Sequence, residues 1–433
     1  MGKLVTVGVG FSQNEDPYTA ASEAARQSLK QLKGKTPSLS LVFHAGKPYE
    51  AYDPLNKGLV EVFNGHEFVG GSTDGVVYNG KIYPQGIVVA SFYSDYVHFG
   101  VASVDNVSRD PKKLARETVK KAVQSIHIDH YVDSYMAFTR VKKGNLTELI
   151  RMPAFFVFAF TRGFQPTKMG NEDSIIDGIQ EEVGYYVPVF GGSLGSNMDY
   201  VFNGTPYDIV SLHSGKIMKD GLITVFAISD VKYANSYAHG AQALNKLGYI
   251  SEVDNGGFVV KKISGMHIID WYAKEIGISK KEFLSKILFY TQKYPLGFPD
   301  GYGNIIMRAG GVPYKEWLSY IAPLHENTPI FLMDLEDNKR LLQANKELLT
   351  DVQKHLQESL KPEISFVVSC SSRRRVLDPK SSSKELVELN RLPANPTFGF
   401  CSFGEIGSKP AGASHFHHLC TNVFNFYDKL MSE

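Results

Sequence analysis

Apolar and polar positions along the chain follow two different periods, and their alternation sets out the first elements. Short apolar runs at Val5 to Val9, Leu39 to His44, Ile87 to Phe92 and Val97 to Val101 read as strands, the last two placed to pair with each other. Between them, Tyr18 to Leu32 carries Ala20, Ala21, Ala24, Ala25 and Leu29 at helical spacing, and Asp16-Pro17 is a helix start signal. Asn56 to Phe63 reads as a shorter helix.

The same order of features then recurs. Phe68-Val69-Gly70-Gly71-Ser72-Thr73-Asp74-Gly75 returns as Val189-Phe190-Gly191-Gly192-Ser193-Leu194-Gly195-Ser196. Asp16-Pro17 before an Ala-rich helix returns as Asp110-Pro111 before Leu114 to Val119, and Leu41-Val42-Phe43 returns as Phe156-Val157-Phe158. Gly86 to Ala90 corresponds to Gly221 to Val225, and the helix Asp173 to Val183 leads into the second glycine motif. Residues 1–232 therefore read as a duplicated α/β region with copies at about 1–96 and 97–232.

After Tyr233 the texture changes, and residues 233–433 read as a C-terminal α/β domain, giving an α/β (α+β) fold class for the whole. Gly256 to Ile263 alternates like a strand, and Gly265 to Ile276 reads as a helix. Tyr294 to Pro313 is so dense in Pro and Gly that an ordered loop system is expected there. Asn338 to Leu356 is the clearest helix, with Leu341, Leu342, Leu348, Leu349 and Val352 on one side. It leads into the strand Ile364 to Val368, the charged turn Arg373-Arg374-Arg375, a Ser-rich stretch at Lys380 to Lys384 expected to be mobile, and a last core strand at Phe398 to Phe403.

At 433 residues the chain is too long for one ordinary core, and 43% apolar with 21% charged residues is the balance of a soluble globular protein. A formal net charge of +1 gives no general attraction to nucleic acid. No apolar run reaches the ~20 residues that span a bilayer, and Met1 to Gly10 lacks signal-peptide regions, so a cytoplasmic protein without membrane insertion is expected. Met1 to Thr6 fits the loose myristoylation pattern, but Leu4 to Gly10 alternates like a buried first strand. Three cysteines make no full disulfide framework, and reduced thiols are expected.

Reactive side chains gather in the C-terminal region: Cys370 and Arg373 on one segment, Cys401 and Glu405 on another, then His415, His417, His418 and Cys420. Thiolates and imidazoles are soft-metal ligands, which makes His415, His417, His418, Cys401 and Cys420 the metal candidates, although the spacing matches no metal signature. Cys370 with one of the histidines as base and Glu405 as orienter is a candidate nucleophile; a buried core cysteine is the plainer reading. Glu405 beside Arg373 or Arg374 reads either as a clamp for an amino-acid zwitterion or as an interior ion pair. The Gly-Gly-Ser motifs follow helices and precede strands, the reverse of a phosphate cradle, so Ser72, Thr73 and Ser193 are candidates to line a ligand pocket between the two copies. His239 and His267 are isolated histidines in apolar settings and read as core or rim groups.

Gly70-Gly71-Ser72-Thr73, Ser369-Cys370-Ser371-Ser372-Arg373 and Gly399 to Ile406 together resemble the motifs of FIST-domain proteins. The resemblance covers nearly the whole chain, residues 1–232 matching the N-terminal and 233–433 the C-terminal part of that family, and the C-terminal pair of motifs is the more specific signal. It implies an intracellular sensory module that binds a small ligand, amino acids being the usual proposal, and acts on a separate partner because no kinase, cyclase or F-box segment is seen. It also implies an alternative, a haem protein that senses nitric oxide and regulates a histidine kinase or a cyclic-di-GMP enzyme; no fixed cofactor is otherwise expected. By motif, Cys370, Arg373, Gly404 and Glu405 are the matching positions. An enzyme built on Cys370 is the third reading.

Overall fold

The computed structural model describes residues 3–126, 153–165, 168–356, 360–377, 381, 384–387, 396–410 and 412–431. Of the Ser-rich stretch, only positions 381 and 384 fall among them.

The first copy supplies β1 (Thr6–Ser12), β2 (Leu39–Ala45), β3 (Phe68–Thr73), the hairpin β4 (Gly75–Tyr78) and β5 (Lys81–Tyr83), and β6 (Gly86–Tyr93). The second supplies β7 (Val97–Val104), β8 (Phe155–Arg162), β9 (Val189–Leu194), the hairpin β10 (Ser211–His213) and β11 (Lys216–Met218), and β12 (Leu222–Ser229). In both copies the helix after the first strand starts at an Asp-Pro pair. Asp16 and Asp110 each accept a hydrogen bond from the main-chain N–H three residues on, and the proline, which lacks an N–H, takes the first helical position.

A third copy follows, unannounced by the Gly-Gly-Ser pattern. It opens with β13 (Val231–Ala238) and is then interrupted by an inserted subdomain. There β14 (Gln242–Asp254), β15 (Val259–Ile263), β16 (Met266–His267), β17 (Leu296–Pro299), β18 (Ile305–Arg308), β19 (Gly310–Tyr314), β20 (Trp317–Tyr320) and β21 (Pro329–Asp334) form an eight-stranded sheet. The copy resumes with the helix Asn338–Leu356, β22 (Pro362–Cys370), β23 (Thr397–Ser402), the hairpin β24 (Glu405–Gly407) and β25 (His415–His417), and β26 (Thr421–Leu430).

The three copies build three six-stranded sheets of one plan: β1-β6-β2-β3-β10-β11, β7-β12-β8-β9-β24-β25 and β13-β26-β22-β23-β4-β5. In each sheet one central pair is parallel: β2 with β3, β8 with β9 and β22 with β23. Each is completed by a hairpin from another copy: the first copy's goes to the third sheet, the second's to the first and the third's to the second. The exchange is cyclic.

Parallel strands covered on both faces read as continuous apolar runs. That is why Leu41, Val42 and Phe43, and likewise Phe156, Val157 and Phe158, are all buried without alternation. One face of all three sheets shares an aromatic core that includes Phe43, Phe158, Phe160, Phe190, Phe366, Phe400 and Phe424. The outer faces are covered separately, by the Ala-rich helix Pro17–Gln31 on the first sheet, by helices Pro111–Gln124 and Glu172–Val183 on the second, and by Asn338–Leu356 on the third.

Two expectations change. Ile87 to Phe92 and Val97 to Val101 do not pair: the first lies in β6 between β1 and β2, and the second lies in β7 against β12 of another sheet. Tyr294 to Pro313 is not a loop system, because its Pro and Gly residues fall in and between β17, β18 and the edge strand β19, short strands that tolerate them. Among the described residues no helix is long and apolar enough to cross a membrane.

Candidate functional site

The three equivalent glycines Gly70, Gly191 and Gly399 have φ of 154°, 147° and 154°. Each lies against the parallel neighbour so closely that a Cβ would fall 1.7 Å from the Val42 oxygen, 2.0 Å from the Ala159 oxygen and 1.7 Å from the Val367 oxygen, respectively. Just beyond them the three strands meet in a closed ring of main-chain hydrogen bonds. Gly195 N donates to Ser72 O at 3.0 Å, Phe403 N to Ser193 O at 3.1 Å and Asp74 N to Cys401 O at 3.3 Å.

The side chains at the ring are turned to internal partners. Ser72 Oγ accepts from Val210 N at 2.9 Å, Thr73 Oγ1 donates to His44 O at 3.2 Å and Gly75 O at 3.1 Å, and Ser193 Oγ donates to Glu172 Oε1 at 2.5 Å. The structure thus brings Ser72 and Ser193 together through the main chain, but gives all three hydroxyls intramolecular work.

Cys370, at the end of β22, is buried beside Glu405, and its N–H donates to Cys420 O at 3.0 Å. Glu405 accepts from the Ser402 hydroxyl and from Cys420 N at 3.2 Å. Burial lifts its carboxyl to about 8 against the opposing pull of those donors. Burial, and next the Glu405 charge, push the Cys370 thiol well up; burial does the same to Cys420 and takes Cys401 to about 11. A nucleophilic cysteine needs the opposite environment. All three thiols should therefore resist a thiol reagent at pH 7.5 in the native protein and react together once it is denatured; rapid native labelling of Cys370 would contradict the burial seen here.

Arg373 and Glu405 do not form a clamp with each other. Arg373 is buried and fully engaged: its Nε donates to Glu385, Nη1 to His239 O and Leu419 O at 2.9 Å each, and Nη2 to Leu341 O at 3.1 Å. Gly404, at φ 159°, leaves room for the Phe416 ring, which a Cβ would approach to 2.2 Å.

His415 and His417 share a face of β25 with ring centroids 6.2 Å apart, His417 lies 4.0 Å from the Tyr237 ring, and His418 packs on Phe416 at 4.7 Å. Burial keeps His417 and His418 uncharged, His418 falling to about 3. Among the described residues no set of three His, Cys, Asp or Glu side chains converges to hold a metal ion. His239 Nδ1 accepts from Ala241 N at 2.9 Å, and His267 Nδ1 caps the helix Ile268–Ile276 through Ile269 N at 3.3 Å.

The open space lies one step further along the same strand ends. A cleft of about 240 Å³ is lined by Asp74 after β3, by Asn197, Met198 and Asp199 after β9, by Ser371, Arg374 and Arg375 after β22, and by Pro84. All three copies contribute. Carboxyl ends of parallel strands are where open α/β sheets bind ligands. The Arg374 guanidinium meets Asp74, which also accepts from Met198 N at 2.8 Å, and the Arg375 guanidinium meets Asp199. Ser371 Oγ and Arg374 Nε are buried with no hydrogen-bond partner among the described residues.

The sequence offers Arg373 or Arg374 beside Glu405, and the family motif singles out Arg373. In the short helix Arg373–Val376 the first arginine turns inward and the next two face the cleft. Asp74 was visible as the residue closing the first glycine motif, where the second copy has Gly195 and the third Phe403. Nothing in the pattern marked Asn197 or Asp199.

The sequence matches two family models: FIST N domain over residues 38–266 and FIST C domain over residues 269–408. No curated protein matches. Among solved structures, one described as "Cyanuric acid hydrolase: evolutionary innovation by structural concatenation" is similar at TM-score 0.35 and 8% identity, covering 98% of this chain and 100% of its own. Another, T. maritima PurL complexed with ADP, is similar at TM-score 0.22 and 9% identity, covering 98% and 72%. Likeness of that degree assigns no function.

Proposed function

The chain belongs to the FIST family, whose domains are associated with sensory signal transduction and small-ligand binding, and from that premise we propose that it is a sensory protein whose cleft binds an amino acid or a similarly small, charged metabolite and which acts on a separate partner. The observation that carries this reading is the cleft shared by the three copies, with two guanidinium–carboxylate pairs on its walls and two buried polar atoms that have no partner among the described residues. Planar guanidinium groups match a carboxylate in a fork, and Asp74 and Asp199 complement an ammonium group. At about 240 Å³ the space is below the ~300 Å³ at which drug-sized pockets begin, which suits a small metabolite.

Haem does not fit this cleft. Its iron is held by imidazole, thiolate or phenolate ligands, or by a thioether opposite an imidazole; the walls offer one thioether, Met198, among carboxylates, guanidiniums, a hydroxyl and an amide, and no histidine, cysteine or tyrosine lines the cleft with it.

Titration calorimetry with a panel of free amino acids and small carboxylates tests the reading. A saturable one-site heat is expected for at least one of them. The double variant Asp74→Asn/Arg374→Gln, which keeps hydrogen bonding but removes both charges, should weaken that binding by about 10- to 100-fold, the loss of one or two charge-assisted hydrogen bonds. Binding that ignores the double variant, or none across the panel, would overturn the assignment.

A further inference from the structure

Among the described residues thirteen large apolar side chains stay exposed, and eight of them belong to the inserted subdomain, between Leu247 and Tyr314. Concentration of this kind marks a contact surface. Its densest part is the junction of two short helices, Lys280–Ser285 and Ile287–Lys293, where Phe283 and Tyr290 are buried in the subdomain core while Leu284, Leu288 and Phe289 stand out at 48%, 38% and 49% exposure. These three bulky exposed side chains lie within six residues at one helix junction and make up the knob. The second helix is tied to the edge strand β19 by Thr291 Oγ1, which donates to Gly311 O at 3.2 Å. Val312 and Tyr314 on that strand add to the exposed apolar area.

The charges around the knob are mostly positive. Residues 280–293 contain Lys280, Lys281, Lys286 and Lys293 against a single acid, Glu282, which accepts from Tyr290 OH at 2.9 Å. Lys280 pairs with Asp270 and Lys293 with Glu336, but Lys281 and Lys286 have no acidic partner among the described residues. Lys315 lies over the Tyr314 ring at 5.7 Å.

We propose that this lysine-ringed knob, Leu284, Leu288 and Phe289 with Lys281 and Lys286, seats the protein peripherally on an anionic phospholipid surface. Aromatic and leucine side chains enter the headgroup boundary while lysines on the flank reach the phosphates. The cores of protein interfaces are depleted of lysine, and the side chains here protrude, so the observations favour a lipid surface over a protein groove. Contact at this depth needs no spanning helix.

Co-sedimentation of the whole chain with phosphatidylcholine vesicles, with and without phosphatidylserine, tests the proposal. Binding should require phosphatidylserine and fall as salt is raised. Lys281→Gln/Lys286→Gln should weaken it by about 25-fold, near fivefold for each lysine. Leu288→Asp/Phe289→Asp should abolish it, with an unchanged melting temperature showing that the exposed substitutions spare the fold. No binding to either vesicle, equal binding to both, or binding that survives both variants would overturn the proposal. So would a concentration-dependent dimer of the wild type that Leu288→Asp/Phe289→Asp dissociates, since the knob would then be covered by a second copy of the chain.

Discussion

Gly399→Ala should leave almost no folded protein. The added methyl carbon would sit 1.7 Å from the Val367 carbonyl oxygen and 2.7 Å from its carbon, on a parallel strand held from both sides, at a φ of 154° that side chains rarely adopt. Relief requires parting β22 from β23 in the middle of the shared aromatic core. A rearrangement of that size costs more than about 4 kcal/mol, a large part of the ~5 to 15 kcal/mol by which a domain is stable. Gly70→Ala and Gly191→Ala meet the same obstacle at Val42 and Ala159. Gly412→Ala, where the nearest atom is Lys409 O at 3.3 Å, is the control and should melt within about 0.5 kcal/mol of the wild type. Soluble yield and urea melts followed by tryptophan fluorescence decide it; a Gly399→Ala protein with an unchanged midpoint would mean that the strands do not approach as described.

The second large effect is a pH dependence with an unusual sign. Burial raises Glu405 to about 8 and Glu172 to about 7, whereas in the unfolded chain a glutamate titrates near ~4.3. A group raised on folding contributes stability that is fully present below its unfolded value and is lost as pH rises through its folded value. Each glutamate should therefore remove up to about 1.4 kcal/mol per pH unit, Glu172 between about 4.3 and 7 and Glu405 between about 4.3 and 8. The buried histidines act oppositely. His44 and His418, lowered to about 3, and His239, lowered to about 4, lose stability as pH falls below the unfolded histidine value of ~6.5. Comparing Glu405→Gln with the wild type cancels the histidine contribution. Its stability relative to the wild type should climb steadily from pH 5 to pH 8 in urea melts, because an amide satisfies Ser402 and Cys420 without a charge to bury. A difference independent of pH would show that Glu405 titrates normally.

The same contrast between covered and open positions explains what the residues disclosed. Asn338 to Leu356 was legible because Leu341, Leu348 and Val352 repeat at helical spacing, the last two packing on the third sheet, and the mixed α/β class followed from such runs. The first two copies were legible because each carries Gly-Gly-Ser. The third was not, since of the three motif positions it keeps only Gly399, against Val367 O, and carries Phe400 and Cys401 in the next two. At the cleft, Asp74 and Arg374 were within reach of a sequence reading, but the inward turn of Arg373 depends on Glu385 and three carbonyl oxygens from distant segments. Local pattern does not encode such partners.

The cyclic exchange of hairpins sets a schedule for synthesis. The hairpin of residues 75–83 belongs to the third sheet, and its partner β23 is translated about 300 residues later, roughly 15 to 60 s at ordinary elongation rates. Throughout that interval the nascent chain carries an unpaired edge, while the first sheet also waits for β10 and the second for β24. The three sheets close only after β23 to β26 have left the ribosome. An unpaired edge is a template for pairing with another chain, so this interval is when the molecule is most open to misassembly.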